Sequence, residues 1–402
     1  MMLTRGKKQN FITRLTSLPA SVKRVSFIVF LYGFGWAVAN PFWAIYFKEK
    51  LVSYSLTGLA LGLMPLFSIV WVLIWGKIID RFPKNKIIAV ILLSYLPFSF
   101  LLLSLQTFPQ IIIFFIYHSF IASSLWIAFE TYLRNHSPRD KAAESFGFYD
   151  TLFGLAYVAG PIIGGILFSQ FSYGIFIAIS AMSLIAFFVA LTLPDKDHFS
   201  EFELPPRKSI AENFREWWQN HHLRSFTILV GLLSLASSFL AMLLPLLTKD
   251  QGAQFWQIGV LMALFAVPAL FESFFSTIPF QKNRIIISLA IGAFLFLALT
   301  IARDIYLLFI IALLLALSIT SVYPLLQGKI TTAMPRKLVG SLTSITFALA
   351  NAAAALGPII GGFFSDLLGI HSVFFIGFLI FGALIIFLLY SKSFPREIER
   401  VE

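Results

Sequence analysis

Four ionisable side chains lie within long apolar stretches of the chain, namely Asp150, Glu272, Glu130 and His118. An ionisable group inside a lipid bilayer is costly, so such residues usually carry protons, ions or substrate contacts. Carboxyl and imidazole groups bind protons reversibly. We therefore expect these four residues to be candidates for coupling proton movement to another process.

The two acids that lie deepest have structural alternatives. Asp150 is about two turns into the fifth apolar run, where it could instead hydrogen-bond to the loop after the second run. Glu272 lies at a similar depth in the eighth run, where a salt bridge with Lys282 or Arg284 is the alternative.

The other two candidates lie in the fourth apolar run. Glu130 has Arg134 one helical turn away and Arg81 as a second possible partner, so we favour a structural pairing for it. His118 is near the middle of the run. It could line a pore or be a hydrogen-bonded imidazole in the interior.

The composition places these residues in a membrane protein. The chain has 402 residues, of which 58% are hydrophobic and only 12% are charged, whereas soluble domains carry about 25% charged residues. A helix of about 20 apolar residues spans the hydrocarbon core and satisfies its own backbone hydrogen bonds. Alternating β-barrel segments are absent from the pattern. The sequence predicts twelve transmembrane helices, at 25–47, 56–76, 86–105, 108–133, 145–168, 172–193, 224–247, 254–278, 284–302, 305–327, 340–365 and 370–391.

The basic residues predict the orientation of these helices. If both termini are cytoplasmic, all but four of the 30 Lys and Arg residues fall on the cytoplasmic side; the exceptions are Lys48, Lys50, Lys249 and Arg303. This asymmetry follows the positive-inside rule. The net charge of +11 therefore indicates topology and contact with anionic lipid, not a nucleic-acid partner. We expect a monomeric, multi-pass protein of the plasma membrane.

Several classes of function are disfavoured. The chain has no cysteine, which excludes disulfides, thiolate metal sites and cysteine catalysis. It has no phosphate-binding Gly-x-x-x-x-Gly-Lys loop and no Gly-x-Ser-x-Gly nucleophile elbow. His221 and His222 have no nearby ligands at metal spacing. We expect neither an enzyme nor a cofactor or metal site.

The longest polar interruption divides the twelve runs into two groups of six. It predicts a cytoplasmic segment at 1–24, bundles at 25–193 and 224–391, a central loop at 194–223 and a tail at 392–402. No cleavage-type site follows a short apolar stretch, so the first helix is expected to be retained. Within the central loop, Ile210, Phe214, Trp217 and Trp218 share one helical face. This helix could lie on the membrane surface or be a solvated linker that contacts the bundle.

The two groups of six resemble each other. The hexapeptide Gly-Pro-Ile-Ile-Gly-Gly occurs at Gly160–Gly165 and again 197 residues later at Gly357–Gly362. A second echo relates Lys84-Asn85-Lys86 to Lys282-Asn283-Arg284 at an offset of 198. An even number of helices separates the copies, which predicts a parallel repeat about an axis along the membrane normal.

The loop after the second run carries a family resemblance. Gly76, Asp80, Arg81, Lys84 and Lys86 resemble the signature loop of the major facilitator superfamily. The resemblance implies a twelve-helix fold and a cytoplasmic latch, in which the acid meets the eleventh helix and the arginine meets Glu130. Pro83 departs from the usual glycine, and Ile278-Pro279 replaces Asp-Arg in the second half, so the latch is expected on one side only.

The fifth run resembles the antiporter motif of the same family. Its residues are Gly147, Gly160, Pro161, Gly164 and Gly165, with Ala156 in place of a glycine. The resemblance implies antiport. The alternative is helix packing alone, because small residues let helices approach closely and the second half repeats the pattern at Gly357, Pro358, Gly361 and Gly362.

The resemblance further implies a cavity lined by the first, fourth, seventh and tenth helices. The matching residues are aromatic, hydroxylic or amide side chains: Tyr32, Trp36, Asn40, Trp126, Ser238, Tyr323 and Gln327. No Arg or Lys lies at mid-membrane, which disfavours organic anions. The fourth run also lacks the arginine that multidrug exporters of the family often carry.

The resemblance also implies that the fifth and eighth helices face each other across the two halves. Asp150 and Glu272 would then lie at similar depth on opposing helices. We expect closure of the cytoplasmic side to bring these acids together, so that protonation favours closure.

One leading function and two alternatives follow. The first is a secondary active exporter of small apolar or cationic compounds that exchanges them for protons by alternating access. The alternatives are an uptake symporter for a neutral metabolite such as a sugar, and a non-transporting sensor or lipid-handling protein on the same fold.

Overall fold

The computed structural model describes residues 18–79, 82–138, 141–194, 210–271, 275, 282–334 and 339–390. These residues form α-helices, short 3₁₀ turns and connecting loops. Helices suit this apolar sequence because each helix pairs its own backbone N–H and C=O groups, for which lipid offers no hydrogen-bond partners. Asp80, Arg81 and Glu272 lie outside the described residues.

The first half contains eight α-helices. They are α1 (Ala20–Ala39), α2 (Trp43–Leu51), α3 (Tyr54–Ile79), α4 (Lys84–Ser94), α5 (Phe98–Ser104), α6 (Phe108–His136), α7 (Ala142–Phe171) and α8 (Ile177–Ala190). The 3₁₀ turns Asn40–Phe42 and Ser172–Phe176 join α1 to α2 and α7 to α8.

A short linker helix and seven further helices follow. They are the linker helix α9 (Ile210–Gln219), then α10 (His221–Asp250), α11 (Phe255–Ala266), α12 (Lys282–Ile301), α13 (Ile305–Thr320), α14 (Tyr323–Ala333), α15 (Val339–Leu368) and α16 (Phe374–Tyr390). The 3₁₀ turn Val267–Phe271 extends α11.

These helices correspond to the twelve predicted runs. In the described part of the chain, nine helical stretches are long and apolar enough to cross a membrane, and two shorter apolar helices lie at Phe255–Phe271 and Phe374–Tyr390. One stretch, Glu144–Ala190, holds two of the predicted runs, which the turn Ser172–Phe176 separates. The prediction of an all-α, twelve-helix membrane fold is confirmed.

Several of the spans are longer or less regular than predicted. The first extends from Ala20 to Leu51 and is interrupted by the turn Asn40–Phe42, because Pro41 has no N–H to donate and its ring disfavours a continuous helix. By contrast, α3 and α15 continue through Pro65 and Pro358, as membrane helices tolerate.

Two seams join the halves, and each is built on glycine. We call the bundle end that holds Ala20, His221 and Tyr390 the terminal end, and the end that holds Leu51 and Asp250 the distal end. In the first seam α3 packs against α15: a Cβ on Gly58 would lie 2.0 Å from the Pro358 carbonyl oxygen, and one on Gly362 would lie 2.1 Å from the Tyr54 carbonyl oxygen.

The second seam repeats this arrangement between α7 and α11. A Cβ on Gly259 would lie 2.2 Å from the Pro161 carbonyl oxygen, and one on Gly165 would lie 2.7 Å from the Phe255 carbonyl oxygen. The last glycine and the proline of each hexapeptide thus meet the opposite half. The two copies of the repeat make equivalent contacts.

The first glycine of each hexapeptide packs within its own half. A Cβ on Gly160 would lie 2.4 Å from Ala37 Cβ on α1, and one on Gly357 would lie 2.4 Å from the Leu235 carbonyl oxygen on α10. Gly164 and Gly361 continue these contacts against Val38 and Phe239. Gly147 was expected to form a close helix contact as part of the same motif. In the structure it forms none, because a Cβ there would meet nothing within 4 Å.

The linker helix α9 docks on the second half. Trp217 is buried, and its indole N–H donates to the Thr227 hydroxyl of α10 at 3.2 Å. Phe214 and Trp218 on the same helix remain exposed. The helix therefore buries one aromatic side chain against the bundle and leaves two others exposed.

The seams predict the effect of added side-chain volume. We expect Gly362→Ala to destabilise the protein by about 1–3 kcal/mol, the usual cost of overpacking, because the new methyl group overlaps a backbone carbonyl that cannot rotate away. The measurement is the thermal unfolding midpoint in detergent.

Gly382→Ala is the control, since a Cβ there meets nothing within 4 Å. It should be neutral or stabilising, because alanine favours helix over glycine. A Gly362→Ala midpoint equal to that of Gly382→Ala would contradict the described seam.

Candidate functional site

An ion pair joins the two halves at the distal end. The Lys249 ammonium of α10 contacts the Glu49 carboxylate of α2, and the Tyr173 hydroxyl donates to the same carboxylate. Beside this group, the Tyr54 hydroxyl of α3 donates to the Asp250 carboxylate. We call this ion pair and the Asp366 contacts described next the distal latch.

Asp366 on α15 caps the N-terminus of α3 from the opposite half. Its Oδ1 accepts the backbone N–H of Tyr54 at 3.0 Å, and its Oδ2 accepts the backbone N–H of Ser55 at 2.7 Å. The hydroxyls of Ser53 and Ser55 donate to Oδ2 at 2.7 and 2.6 Å. One carboxylate thus satisfies two of the N–H groups that a helix start leaves unpaired.

The electrostatics of the two helix ends favour this contact. Asp366 lies near the C-terminus of its own helix, α15, where a negative charge is unfavourable, and it meets the positive N-terminus of α3. Separating the halves would leave the carboxylate with only the unfavourable helix end. The contact therefore holds the distal end shut.

Within the described ranges, the polar links between the halves lie on one side. Between residues that the structure describes, the hydrogen bonds and ion pairs that join the halves all lie at the distal end. The other seam has aromatic contacts there, with Phe168 stacked 4.4 Å from Phe42 and 4.1 Å from Phe255 between ring centroids.

Asp150 lies on the seam face of α7 nearer the terminal end. It is one turn before Gly154, whose added Cβ would lie 2.8 Å from Leu270 Cδ2 in the opposite half, so both residues share a helix face. The Asp150 side chain is exposed. Glu272 follows Phe271, outside the described residues, so its approach to Asp150 stays a prediction.

Glu130 lies close to Asp150, and the two acids interact electrostatically. Arg134, one turn further along α6, supplies a positive charge near Glu130. The described structure therefore brings together Glu130 and Asp150, two of the four ionisable candidates, on neighbouring helices α6 and α7.

The expected gating residues are only partly described. Gly76 lies in α3, and Asp80 and Arg81 are outside the described residues, so the cytoplasmic latch stays a prediction. Lys84 is buried at the start of α4, and Lys86 is exposed.

A cavity of about 220 Å³ lies in the second half, between α10, α14 and α15. Its polar lining comprises Ser234, Tyr323, Gln327, Thr343, Thr346 and Asn351, and its apolar lining includes Phe347 and Met334. The Gln327 amide N–H donates to the Tyr323 hydroxyl at 3.0 Å. Hydroxyl and amide groups without a formal charge therefore face this space.

Two of the seven predicted cavity residues, Tyr323 and Gln327, line this cavity. Ser238 instead donates to the Leu235 carbonyl oxygen and packs against Gly357 at a helix contact. Trp126 stacks on the α7 residue Phe153 at a centroid distance of 5.3 Å. These two side chains serve packing between helices, because small or flat groups fill such contacts.

The predicted cavity residues on α1 point into the first half. Tyr32 is buried and shares a hydrogen bond of 2.9 Å with the Tyr95 hydroxyl. It does not line the cavity of the second half, and its contact with substrate stays a prediction. Asn40 is half-buried in the 3₁₀ turn after α1.

His118 occupies an aromatic cluster in the first half. Its ring stacks on Trp36 at 4.8 Å and lies 5.8 Å from Trp43, which are on either side of the Asn40–Phe42 turn. The imidazole is buried, and neither nitrogen has a hydrogen-bond partner. The imidazole therefore lies in the interior of the first half in this conformation, and a proton-coupling role for it stays a prediction.

Sequence reasoning missed the distal latch and part of the cavity. Ser53, Tyr54 and Ser55 have the composition of a helix start, but the carboxylate that caps them is more than 300 residues away. Asn351 could have been recognised as a cavity candidate, because it is an isolated amide side chain within an apolar run. No group of three or more potential metal ligands occurs among the described residues.

Comparisons with known proteins agree with this architecture. A family model described as Major Facilitator Superfamily matches residues 25–346. A Na(+), Li(+), K(+)/H(+) antiporter from Planococcus maritimus is 25% identical over 151 residues, which are 36% of this chain and 35% of that protein. The alignment thus spans about a third of the curated relative.

Two solved structures share the fold. A bacterial homolog of the human lysosomal transporter Spinster, inward-facing and unoccupied, is 14% identical with a TM-score of 0.69, covering 96% of each chain. The nucleoside transporter NupG is 14% identical with a TM-score of 0.75, covering 92% of this chain and 98% of its own.

The distal latch predicts the effect of neutralising Asp366. We expect Asp366→Asn to increase opening of the distal end about tenfold, because charge-assisted hydrogen bonds contribute about 1.5–3 kcal/mol and 1.4 kcal/mol is tenfold. The measurement is the rate at which a water-soluble maleimide modifies a cysteine at the buried position Thr57, in a chain that has no other cysteine.

Asp304→Asn is the matched control. Asp304 also caps a helix at the distal end, where it accepts the Leu307 N–H at 2.9 Å, but it does so within its own half. Equal modification rates for Asp366→Asn and Asp304→Asn would argue against the latch.

Proposed function

The chain belongs to the major facilitator superfamily, and from that membership we propose that it is a secondary active transporter that exports small apolar or cationic compounds in exchange for protons. The observation that carries this proposal is the exposed acid Asp150 on the seam face of α7, while the latch closes the distal end. A proton-binding group with access from one side only is what alternating access requires.

The orientation follows from charge. The terminal end carries the predicted excess of Lys and Arg, so we assign it to the cytoplasm. The protein then has a cytoplasm-facing conformation with its outer side closed by Glu49, Lys249 and Asp366. Its likeness to an inward-facing solved structure supports this assignment. The proposed setting is the plasma membrane, with both termini cytoplasmic.

The coupling step is proposed at Asp150. A neighbouring acid disfavours two simultaneous negative charges, and Glu130 supplies that neighbour. Arg134 supplies a positive charge near Glu130, which favours Asp150 as the carboxyl that gains and loses the proton. The curated relative named as a cation/proton antiporter supports exchange of a cation for a proton.

The substrate contact is proposed in the cavity of the second half. Its lining combines Phe347 and Met334 with uncharged hydroxyl and amide groups. An apolar or weakly polar compound can bury its surface there without leaving a protein charge unpaired. Substrate and proton would thus contact different halves, and the seams would connect them. No cofactor is needed for this cycle.

Proton coupling predicts a loss specific to Asp150. In liposomes with an imposed pH gradient, we expect Asp150→Asn to abolish gradient-driven movement of a lipophilic cationic dye, because the amide cannot bind and release a proton. Glu144→Gln, which removes an acid nearer the start of the same helix, should retain transport. Dye movement by Asp150→Asn at the wild-type rate would contradict coupling at this residue.

A second function is favoured by the cavity itself. The amides of Gln327 and Asn351 and the hydroxyl of Tyr323 can hydrogen-bond a neutral polyol or sugar. Uptake of a neutral metabolite is therefore the alternative to export. The likeness to a nucleoside transporter concerns the fold alone and does not indicate which substrate this protein binds.

The two substrate classes respond differently to loss of an amide. For a neutral polar substrate, Asn351→Leu should raise KM about tenfold or more, because each unmade hydrogen bond costs about 1–3 kcal/mol. For a lipophilic dye, the same variant should leave KM unchanged or lower it. Parallel measurement of both KM values in proteoliposomes decides between export of apolar compounds and uptake of a polar one.

A further inference from the structure

A groove of about 430 Å³ lies at the terminal end, between the start of α10 and the end of α16. Its wall is apolar, formed by Ile228, Ile386 and Phe387, and its mouth carries Arg224, His221 and Tyr390. Ile228 and Ile386 are 39% and 59% exposed, which places uncovered hydrocarbon directly beneath a basic group.

Arg224 is held in place at the mouth of the groove. Its Nη1 donates to the Trp218 carbonyl oxygen at 3.0 Å, and its guanidinium lies 5.0 Å from the centre of the Trp218 ring. The remaining guanidinium N–H groups form a planar array that suits a phosphate. Because the linker helix fixes the side chain, little of its entropy remains to be lost on binding.

The surroundings match a membrane interface. Trp218 is 57% exposed and stacks with Phe214, which is 45% exposed. Exposed tryptophan beside arginine is typical of the headgroup level of a bilayer. The groove thus descends from a charged mouth at headgroup level to an apolar wall at acyl-chain level.

We propose that this groove binds one anionic phospholipid, with its phosphate at Arg224 and an acyl chain along Ile228, Ile386 and Phe387. Charge complementarity selects an anionic headgroup, because the described residues that line the groove include arginine and histidine and no carboxylate. Basic pockets between membrane helices on the cytoplasmic side are suited to such lipids. This inference does not depend on which compound the protein transports.

An anionic lipid fits both parts of the groove. A soluble phosphate would satisfy Arg224 but leave the apolar wall uncovered, and a zwitterionic lipid would cover the wall but add a positive choline group at a basic mouth. A bound lipid would also bridge α10, α16 and the linker helix, since Trp218 belongs to α9. The bound lipid would thereby stabilise the contact between the linker helix and the second half.

The test counts lipids on the full-length protein. The protein is released from nanodiscs of phosphatidylcholine with a minor fraction of phosphatidylglycerol, and retained lipids are identified by native mass spectrometry. Wild-type protein should retain one phosphatidylglycerol in preference to phosphatidylcholine. Arg224→Gln should lower this retention about fivefold, since one basic group contributes about 1 kcal/mol to anionic-lipid binding.

Two further variants keep the test decisive. Arg224→Lys keeps the charge and should retain most of the binding, which separates a charge effect from misfolding. Arg215→Gln removes an exposed charge from the linker helix outside the groove and should behave as wild type. The proposal fails if Arg224→Gln retains the lipid, if Arg215→Gln loses it equally, or if phosphatidylcholine is retained as well as phosphatidylglycerol.

Discussion

The close approach of helix backbones at the two glycine seams is the constraint on which the rest of the structure depends. Gly58 and Gly362 in one seam, and Gly165 and Gly259 in the other, place each helix against a carbonyl of its partner. Lipid supplies no hydrophobic drive between helices, so close packing of small residues must do so. The two seams make equivalent contacts, so the halves meet in the same way on both sides of the molecule.

The halves share a repeat but use their interiors differently. The first fills its centre with aromatic rings, including Trp36, Trp43 and His118, and carries Asp150 on the seam face of α7. The second leaves a cavity with hydroxyl and amide groups around Tyr323 and Gln327. The proposed proton and substrate contacts are therefore separate, and only a movement at the seams can connect them.

Features that depend on local composition were predictable from the sequence. The apolar runs predicted the helices, and the hexapeptide at Gly160 and Gly357 predicted the repeat, because membrane length and small-residue packing act locally. The helix that carries Asp366 was predictable, but the contact of Asp366 with Tyr54 and Ser55 was not, since these residues are more than 300 positions away. The sequence likewise did not determine that Tyr32 and His118 face the inside of the first half, because a helix with apolar residues all round has no distinct face.

The central claim is that the distal and terminal ends open reciprocally about the seams. The most direct measurement uses pairs of spin labels in nanodiscs: Gln106→Cys with Tyr306→Cys at the distal end, and Asn135→Cys with Asn283→Cys at the terminal end. Lys249→Glu replaces the ion pair with two carboxylates that repel each other, so it should lengthen the distal distance and shorten the terminal distance. The double variant that also carries Glu49→Lys restores the ion pair with reversed charges and should restore both distances. Distances that stay unchanged, or that change in the same direction at both ends, would contradict the account.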